Sequence, residues 1–299
     1  MSPRVEGTPQ LCDRLGMAPM VTSAPEQVTD AITYHGEGPC WSPHWGGLRW
    51  VDMLAGDLLT LHEGEVSRLH VGEVAAFVRP RARGGYVVGL ERGIGLADDP
   101  WSPPGVTHIV WDDPAVRMNE GGCDPAGNLY AGSMAYDATP GAAALYRLTP
   151  DLQVTTVLSA TISNGIDFSP DGRHAYYNDT GTGGTDVFDH VDGALTNRRL
   201  LRHGDIGGPD GLAVDSAGNI WTALNGGGTI RCCAPDGATL AEVEVPVRLV
   251  TACAFGGEDL QDLYITTSRE HLEDPEPAAG ALFRVRVDVP GRAVQPFAG

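Results

Sequence analysis

The sequence predicts an all-β protein, specifically a six-bladed β-propeller with four-stranded antiparallel blades. Short runs of alternating or β-branched residues recur between turns that contain Gly, Pro or Asp. No segment keeps a helical apolar period for more than about two turns. A glycine or a polar turn followed by an apolar or aromatic strand occurs six times, as GGLRWVD, GGYVVGL, GNLYAGS, GRHAYYND, GNIWTAL and QDLYITT. A unit repeated in this way is typical of a propeller, in which each unit forms one blade.

The spacing of the six units supports this prediction. One apolar or aromatic residue in each unit serves as an anchor, and successive anchors are 37, 43, 47, 44 and 43 residues apart. These steps are close to the ~40–45 residues of a four-stranded blade. The anchors are Trp50, Val87, Tyr130, Tyr177, Trp221 and Tyr264.

Three units share a turn just before the anchor, CDPAG, FSPDG and VDSAG, at 123–127, 168–172 and 214–218. Asp and Pro favour the start of such a turn, and Gly supplies the positive φ that ends it. We therefore assign Asp124, Asp171 and Asp215 to turn structure and exclude them from the candidate site.

The chain is long enough for one large all-β domain, since it has 299 residues of which 42% are hydrophobic. We expect a single propeller over residues 1–299, with residues 1–25 as an N-terminal extension. A propeller closes when a strand from one chain end completes the last sheet. The sequence leaves open whether the N-terminal segment or the C-terminal ALFRVRVDVPGRAVQPFAG supplies that strand.

Composition excludes several classes of partner. Lys and Arg number 20 and Asp and Glu number 39, so the formal charge is 20 − 39 = −19, which disfavours nucleic acid and anionic membranes. No run of about 18 apolar residues and no signal peptide is found, so we expect a soluble cytoplasmic protein.

The six cysteines show no CxxC pair, and we expect reduced, mostly buried thiols. The oligomeric state is not predicted.

Four polar residues share one position in the repeat. Glu37 and Asn164 each lie 13 residues before the anchor of their blade, and Asn119 and Asp210 each lie 11 residues before theirs. In a propeller the innermost strand of each blade lines the axis, so equivalent positions converge on the central channel. Each residue has neighbouring glycines, which permit a sharp backbone path.

Two carboxylates and two amide carbonyls form a set of oxygen donors that suits a hard divalent cation. We expect one metal ion held by Glu37, Asn119, Asn164 and Asp210. Calcium fits best, while zinc, manganese, magnesium or ferrous iron remains an alternative. Each of the four taken alone is better explained as a turn residue, so the shared position carries the prediction.

Five blocks in order, from about Glu37 to the C-terminus, resemble the senescence marker protein, regucalcin and gluconolactonase family of six-bladed propellers. The resemblance implies a divalent metal bound by the residues at Glu37, Asn164 and Asp210, with Asn119 at the boundary between metal and substrate. The blocks are GEGPCW, RMNEGGCDPAGNLYAGSM, ISNGIDFSPDGRHAYYND, GGPDGLAVDSAGNIWTA and AFGGEDLQDLYITTS.

The resemblance also implies substrate contacts. The Arg of the family's RxND motif corresponds to Arg117, and an acidic residue after its AGTM block corresponds to Asp137. This chain reads RMNE where the family commonly reads RFND, so Glu120 stands beside the site in place of an aspartate. We therefore expect Arg117, Asn119, Glu120 and Asp137 to bind substrate.

The family and the donor set together favour a metal-dependent hydrolase that opens a sugar lactone. A metal with open coordination positions polarises a carbonyl and makes bound water more acidic. Asp210 is the candidate base, although a second role as metal ligand lowers its pKa. Three alternatives stay open: a phosphotriesterase acting on organophosphates at the same metal site, a calcium- or ligand-binding propeller without catalysis, and a specialised enzyme of secondary metabolism.

A serine hydrolase mechanism is not supported, and His35 and the loop at 270–280 receive no catalytic role. No Gly-x-Ser-x-Gly motif is present, so serine hydrolase chemistry of the α/β-hydrolase type is not supported. We interpret His35, two residues before Glu37, as scaffold, and the loop at 270–280 as a solvated connection.

Overall fold

The computed structural model describes residues 21–299, apart from the side chain of Val106. Within this range the strands form six four-stranded antiparallel sheets, which are arranged as the blades of a six-bladed β-propeller. The predicted fold class is confirmed.

The innermost strands of neighbouring blades contact one another in a closed circle around the axis. They are almost completely buried, because each packs between two neighbouring blades and the channel. This burial on both faces explains why their sequences lack clear alternation of apolar and polar residues. The inner strands are β2 (Gly36–Ser42), β6 (Ala75–Pro80), β10 (Val116–Cys123), β14 (Ser163–Phe168), β18 (Gly208–Val214) and β22 (Val250–Gly256).

The second strand of each blade carries the anchor residue of the repeat. All six anchors are buried, and the aromatic ones belong to the apolar clusters between blades. The repeat found in the sequence therefore marks the same strand in every blade. These strands are β3 (Gly47–Asp52), β7 (Tyr86–Leu90), β11 (Leu129–Ala135), β15 (His174–Asp179), β19 (Ile220–Asn225) and β23 (Asp262–Thr267).

The third and fourth strands lie progressively further from the axis. The fourth strands are the most exposed, as expected for the outer edge of a blade. The third strands are β4 (Asp57–His62), β8 (Gly93–Ala97), β12 (Ala143–Leu148), β16 (Gly184–Val191), β20 (Thr229–Cys233) and β24 (Phe283–Arg286). The outer strands are β5 (Glu65–His70), β9 (Val106–Ile109), β13 (Val154–Ala160), β17 (Ala194–His203), β21 (Thr239–Glu244) and β1 (Glu26–Gln27).

The N-terminal side of the chain supplies the strand that closes the ring. Strand β1 pairs antiparallel with β24, so that Glu26 lies opposite Arg284. An isolated bridge between Val21 and Val287 extends this contact. The last blade therefore combines residues from both ends of the described chain, which answers the question that the sequence left open.

The C-terminal tail takes a different path, across the ends of the inner strands. Phe297 donates its N–H to the Pro80 carbonyl at 2.8 Å, and its ring is fully buried in the largest apolar cluster. Arg292 donates to the Phe168 carbonyl at 2.5 Å, in blade four, two blades away from where β1 pairs. Together with the last residues of the inner strands, residues 292–295 enclose a cavity of ≈ 70 Å³.

The three predicted turns are confirmed. The Asp215 carboxylate accepts hydrogen bonds from the N–H groups of Ala217 and Asn219, both at 2.9 Å, and from the Trp221 indole at 3.0 Å. Asp124 and Asp171 accept comparable bonds within their own turns. These carboxylates stabilise the entry to the second strand.

The predicted state of the cysteines is confirmed for five of the six, which are unpaired and buried; they are Cys40, Cys123, Cys232, Cys233 and Cys253. The sixth, Cys12, lies outside the described residues. Residues 21–299 include no helix with the length and apolar character needed to cross a membrane.

Candidate metal centre

The four predicted metal ligands lie on four different inner strands, each beside an irregularity in strand pairing. Glu37 lies at a bulge in β2, Asn119 in β10, Asn164 in β14 and Asp210 in β18. A β-bulge interrupts the regular alternation of side chains and gives one residue a new direction. The pairing of β6 and β22 is irregular at the same level, so the feature belongs to all six blades.

Close contact between neighbouring inner strands explains the glycines that follow the candidate ligands. A Cβ atom on Gly165, after Asn164, would lie 2.4 Å from the Leu212 backbone nitrogen. A Cβ atom on Gly211, after Asp210, would lie 2.4 Å from the Ala252 side chain. Only glycine lets the backbones approach this closely, so these positions serve packing around the channel.

Hydrogen bonds connect three of the bulges in series. Asn119 donates from Nδ2 to the Ser163 carbonyl at 3.0 Å, directly before Asn164. Asn164 donates from Nδ2 to Thr180 Oγ1 at 3.0 Å, and this hydroxyl donates to the carbonyl of the residue before Asp210 at 2.6 Å. The side chains of blades three, four and five are thereby held at one level.

The sixth blade is connected to the first in the same way. Thr251 of β22 donates from Oγ1 to the carbonyl of Gly36 at 2.6 Å, directly before Glu37. The Thr251 hydroxyl is therefore engaged with the backbone of blade one. The bulge that carries Glu37 is therefore supported from the neighbouring blade.

Glu37 is a buried carboxylate with few compensating partners. Its Oε2 accepts one hydrogen bond from the Gly38 N–H at 3.0 Å, and its Oε1 lies 4.0 Å from His35 Nε2. Burial raises the pKa of Glu37 well above its usual value, and the negative charges of Asp210 and Glu120 raise it further. In the absence of a cation, this carboxylate is costly to ionise.

Asp210 is likewise a buried carboxylate with few compensating partners. Asn225 donates from Nδ2 to Oδ2 of Asp210 at 2.8 Å, whereas Oδ1 is buried and has no hydrogen-bond partner. Burial raises the pKa of Asp210 to about 7; the bond from Asn225 opposes the shift, and the charge of Glu120 adds to it. Asn178 fixes the backbone here by donating to the Asp210 carbonyl at 2.6 Å.

Asn164 presents a second oxygen without a partner. Because its Nδ2 donates to Thr180, its Oδ1 is the atom left free, and this oxygen is buried without a hydrogen bond. Buried polar atoms are nearly always paired, so two unpaired oxygens on neighbouring blades call for an explanation. Carboxylate and amide oxygens in this state fit a divalent cation, whose charge two carboxylates balance.

Asn119 differs from the other three because its oxygen is already engaged. Arg117 donates from NH1 to Asn119 Oδ1 at 2.9 Å and to the Met118 carbonyl at 3.0 Å. This arrangement agrees with a place between metal and substrate. The donor set thus depends on amides, since no group of three or more His, Cys, Asp or Glu side chains suited to a metal occurs within residues 21–299.

The other two predicted substrate residues lie in different surroundings. Glu120 is buried, with its Oε1 3.2 Å from Arg79 and 2.7 Å from the Gly121 N–H. Asp137 is exposed in the turn after β11, where its carboxylate accepts a bond from the Thr139 N–H at 3.0 Å. Their contacts with substrate stay predictions, and the structure gives both carboxylates local partners.

Three supporting residues were missed in the sequence. Asn225 follows its anchor by four residues, and Asn178 and Thr180 follow theirs by one and three. They lie at the ends of second strands and directly after them, where these strands approach the bulges of inner strands. The repeat could have revealed them, had the positions after the anchor been compared as the positions before it were.

The comparisons with known proteins agree with this architecture. The family model described as SMP-30/Gluconolactonase/LRE-like region matches residues 35–269. The 6-deoxy-6-sulfogluconolactonase of Pseudomonas putida is 37% identical over 290 residues, covering 88% of this chain and 95% of that protein. Regucalcin of Danio rerio is 34% identical over 267 residues, covering 84% and 90%.

A solved structure extends the likeness to three dimensions. The crystal structure of regucalcin from Agrobacterium tumefaciens, described as a calcium-binding protein, has a TM-score of 0.86 and 28% sequence identity. The alignment covers 95% of this chain and 100% of that one. With a family model that spans all six inner strands and relatives aligned over most of their length, the chain belongs to the SMP-30/gluconolactonase/LRE-like family.

Proposed function

We propose that this protein is a divalent-metal-dependent hydrolase that opens the ring of a sugar lactone. Its relatives include a lactonase, which supports a lactonase-type function. The observation that carries the metal dependence is the pair of buried, unpartnered oxygens, Asn164 Oδ1 and Asp210 Oδ1, beside the buried carboxylate of Glu37.

Glu37, Asn164 and Asp210 would hold the metal, with Asn119 as a fourth donor or as a contact to substrate. When bound, a divalent cation polarises the carbonyl of the lactone and lowers the pKa of nearby water. Calcium is our preferred ion, because the donors are all oxygen and because a structural neighbour is described as calcium-binding.

The side chains around this centre suit ester hydrolysis. Arg117 and Asn119 are already hydrogen-bonded to each other, and they would stabilise the negative charge that develops on the carbonyl oxygen. Asp210 would combine two roles, as a metal ligand and as the base that takes the proton from the attacking water. The bond between the carbonyl carbon and the ring oxygen then breaks, Asp210 returns its proton to the ring oxygen, and the product is the open-chain hydroxy acid.

The test is direct. Purified protein is freed of metal with a chelator, and the opening of glucono-, xylono- and galactonolactone is followed by acid release before and after addition of Ca²⁺, Mn²⁺, Mg²⁺ or Zn²⁺. We expect activity only with metal, and its abolition by Asp210→Ala but not by Asp215→Ala. A metal-loaded protein that opens none of these lactones would contradict the proposal.

One other function has an observation in its favour. Several relatives are named regucalcin, and one such protein is described as calcium-binding, so a role in binding without catalysis is the second candidate. Calcium binding by a protein that is inert toward every lactone would favour it. The cytoplasmic location expected from the sequence stays a prediction.

A further inference from the structure

The loop between β23 and β24, which we interpreted from the sequence as a solvated connection, lies beside the candidate metal centre. Ser268 forms a bridge with His35, and the Arg269 N–H donates to the Tyr34 carbonyl at 3.0 Å. The other end of the loop is also fixed, because the Thr33 N–H donates to the Gly280 carbonyl at 3.1 Å. The loop is therefore attached at both ends to the segment that leads into Glu37.

Glu270 is the residue of this loop that turns toward the site. Its side chain is only 18% exposed, and its Oε2 lies 3.2 Å from His35 Nδ1. The same nitrogen lies 2.8 Å from Ser268 Oγ, which in turn accepts a bond from the Glu270 N–H at 2.9 Å. His35 and Ser268 thus hold the carboxylate in a defined place, one imidazole ring away from Glu37.

The Glu270 carboxylate has a second neighbour on the solvent side, since its Oε1 lies 3.3 Å from Nε2 of the exposed His271. The carboxylate is still 18% exposed and has more lone pairs than these neighbours occupy, so it can accept a further hydrogen bond from a molecule bound beside Glu37.

We propose that Glu270 is a further substrate-binding residue, which accepts a hydrogen bond from a ring hydroxyl and thereby selects polyhydroxylated lactones. This inference rests on the proposed function and adds a specificity-determining residue to it. His35 acts as a positioning residue, because its Nδ1 lies 3.2 Å from Oε2 of Glu270 and holds this carboxylate in place.

Binding can be measured without turnover. The probe is 1,5-anhydroglucitol, a six-membered ring that carries hydroxyls but no carbonyl, titrated calorimetrically into the calcium-loaded protein. Glu270→Ala should weaken binding at least about tenfold, because a hydrogen bond to a charged group is lost. Glu270→Gln, which keeps an acceptor oxygen, should recover part of the affinity. The control is Glu273→Ala, an exposed acid of the same loop, which should leave the affinity unchanged.

An unchanged affinity in Glu270→Ala, an equal loss in Glu273→Ala, or no binding by the wild-type protein would each overturn the proposal. Calcium affinity, titrated in parallel, should stay within about twofold in both variants, since Glu270 is not among the metal ligands. A large loss of calcium affinity in Glu270→Ala would instead make Glu270 a support for Glu37, and would also overturn the proposal.

Kinetics provide the specificity test. On glucono-1,5-lactone, Glu270→Ala should lower kcat/KM at least about tenfold, mainly through KM, whereas on unsubstituted δ-valerolactone it should have little effect. Equal losses on both substrates would contradict hydroxyl recognition. A wild-type protein that opens neither lactone would refute the proposed function, while the calorimetric result would still decide the role of Glu270.

Discussion

Substitution of Asp210 by Asn should stabilise the metal-free protein while removing its ability to bind metal. Asn has nearly the same shape as Asp and can still accept the hydrogen bond that Asn225 donates at 2.8 Å. It lacks the negative charge that now lies buried near Glu37 and Glu120. We therefore expect Asp210, the candidate catalytic base, to lower the stability of the metal-free protein.

The magnitude follows from the pKa of Asp210. Burial raises this pKa from 3.8 to about 7, and each unit corresponds to about 1.4 kcal/mol. The folded, metal-free protein binds the proton more tightly than the unfolded chain does. The cost of ionisation is thus absent below about pH 4 and fully present above about pH 7, where it reaches up to about 4 kcal/mol.

The assay is urea unfolding at pH 8 in the presence of a chelator, compared with unfolding at pH 4.5. At pH 8 the free energy of unfolding of Asp210→Asn should exceed that of the wild type by as much as about 4 kcal/mol, and at pH 4.5 the gain should shrink strongly. Added calcium should stabilise only the wild type. A metal-free Asp210→Asn protein that is less stable than the wild type at pH 8 would refute the reasoning.

Four further predictions concern the site and its scaffold. Asn225→Ala should weaken metal affinity about 10–100-fold, because Asp210 loses the donor that orients it; calorimetric metal titration measures this, and an unchanged affinity would speak against it. Metal binding should strengthen between pH 5 and pH 8 and release protons near pH 6, since the raised pKa of Asp210 means that a proton competes with the metal; identical calorimetric heats in buffers of different ionisation enthalpy would rule this out. Asp215→Ala should lower the free energy of unfolding by about 2–4 kcal/mol without changing kcat/KM, because its bonds to the turn and to Trp221 are structural. Phe297→Ala should cost about 3–5 kcal/mol in urea unfolding, since its fully buried ring fixes the tail to the core; a loss below about 1 kcal/mol would mean that the tail is dispensable.

The position of the four candidate ligands was available from the sequence because a propeller repeats one unit. Counting back from the anchors placed Glu37, Asn119, Asn164 and Asp210 on inner strands, where the structure has them. The match holds within two residues, since the candidate ligands lie 13 or 11 residues before their anchors. The repeat therefore indicated which residues occupy equivalent positions in different blades, although the sequence contains no distances.

Other features had no signal in the repeat. Glu270 is contributed by a long loop of the last blade, and its approach to His35 joins residues that are 235 positions apart in the chain. The ion pair between Arg79 and Glu120 likewise joins two blades. It directs the Glu120 carboxylate, which we expected to contact substrate, toward Arg79. Loops and side-chain rotamers differ from blade to blade, so neither follows from the shared pattern.

By itself, the sequence determined the blade count, the strand that carries each anchor, the turn aspartates and the shared position of the oxygen donors. These follow from local rules of strand, turn and repeat, which act within about 45 residues. Only the tertiary structure decided that Glu26–Gln27 closes the ring, that the tail around Phe297 crosses to blade two, and which oxygens of Asn164 and Asp210 stay unpaired. Those outcomes depend on contacts between distant segments, where the packing of whole blades sets which partner each group meets.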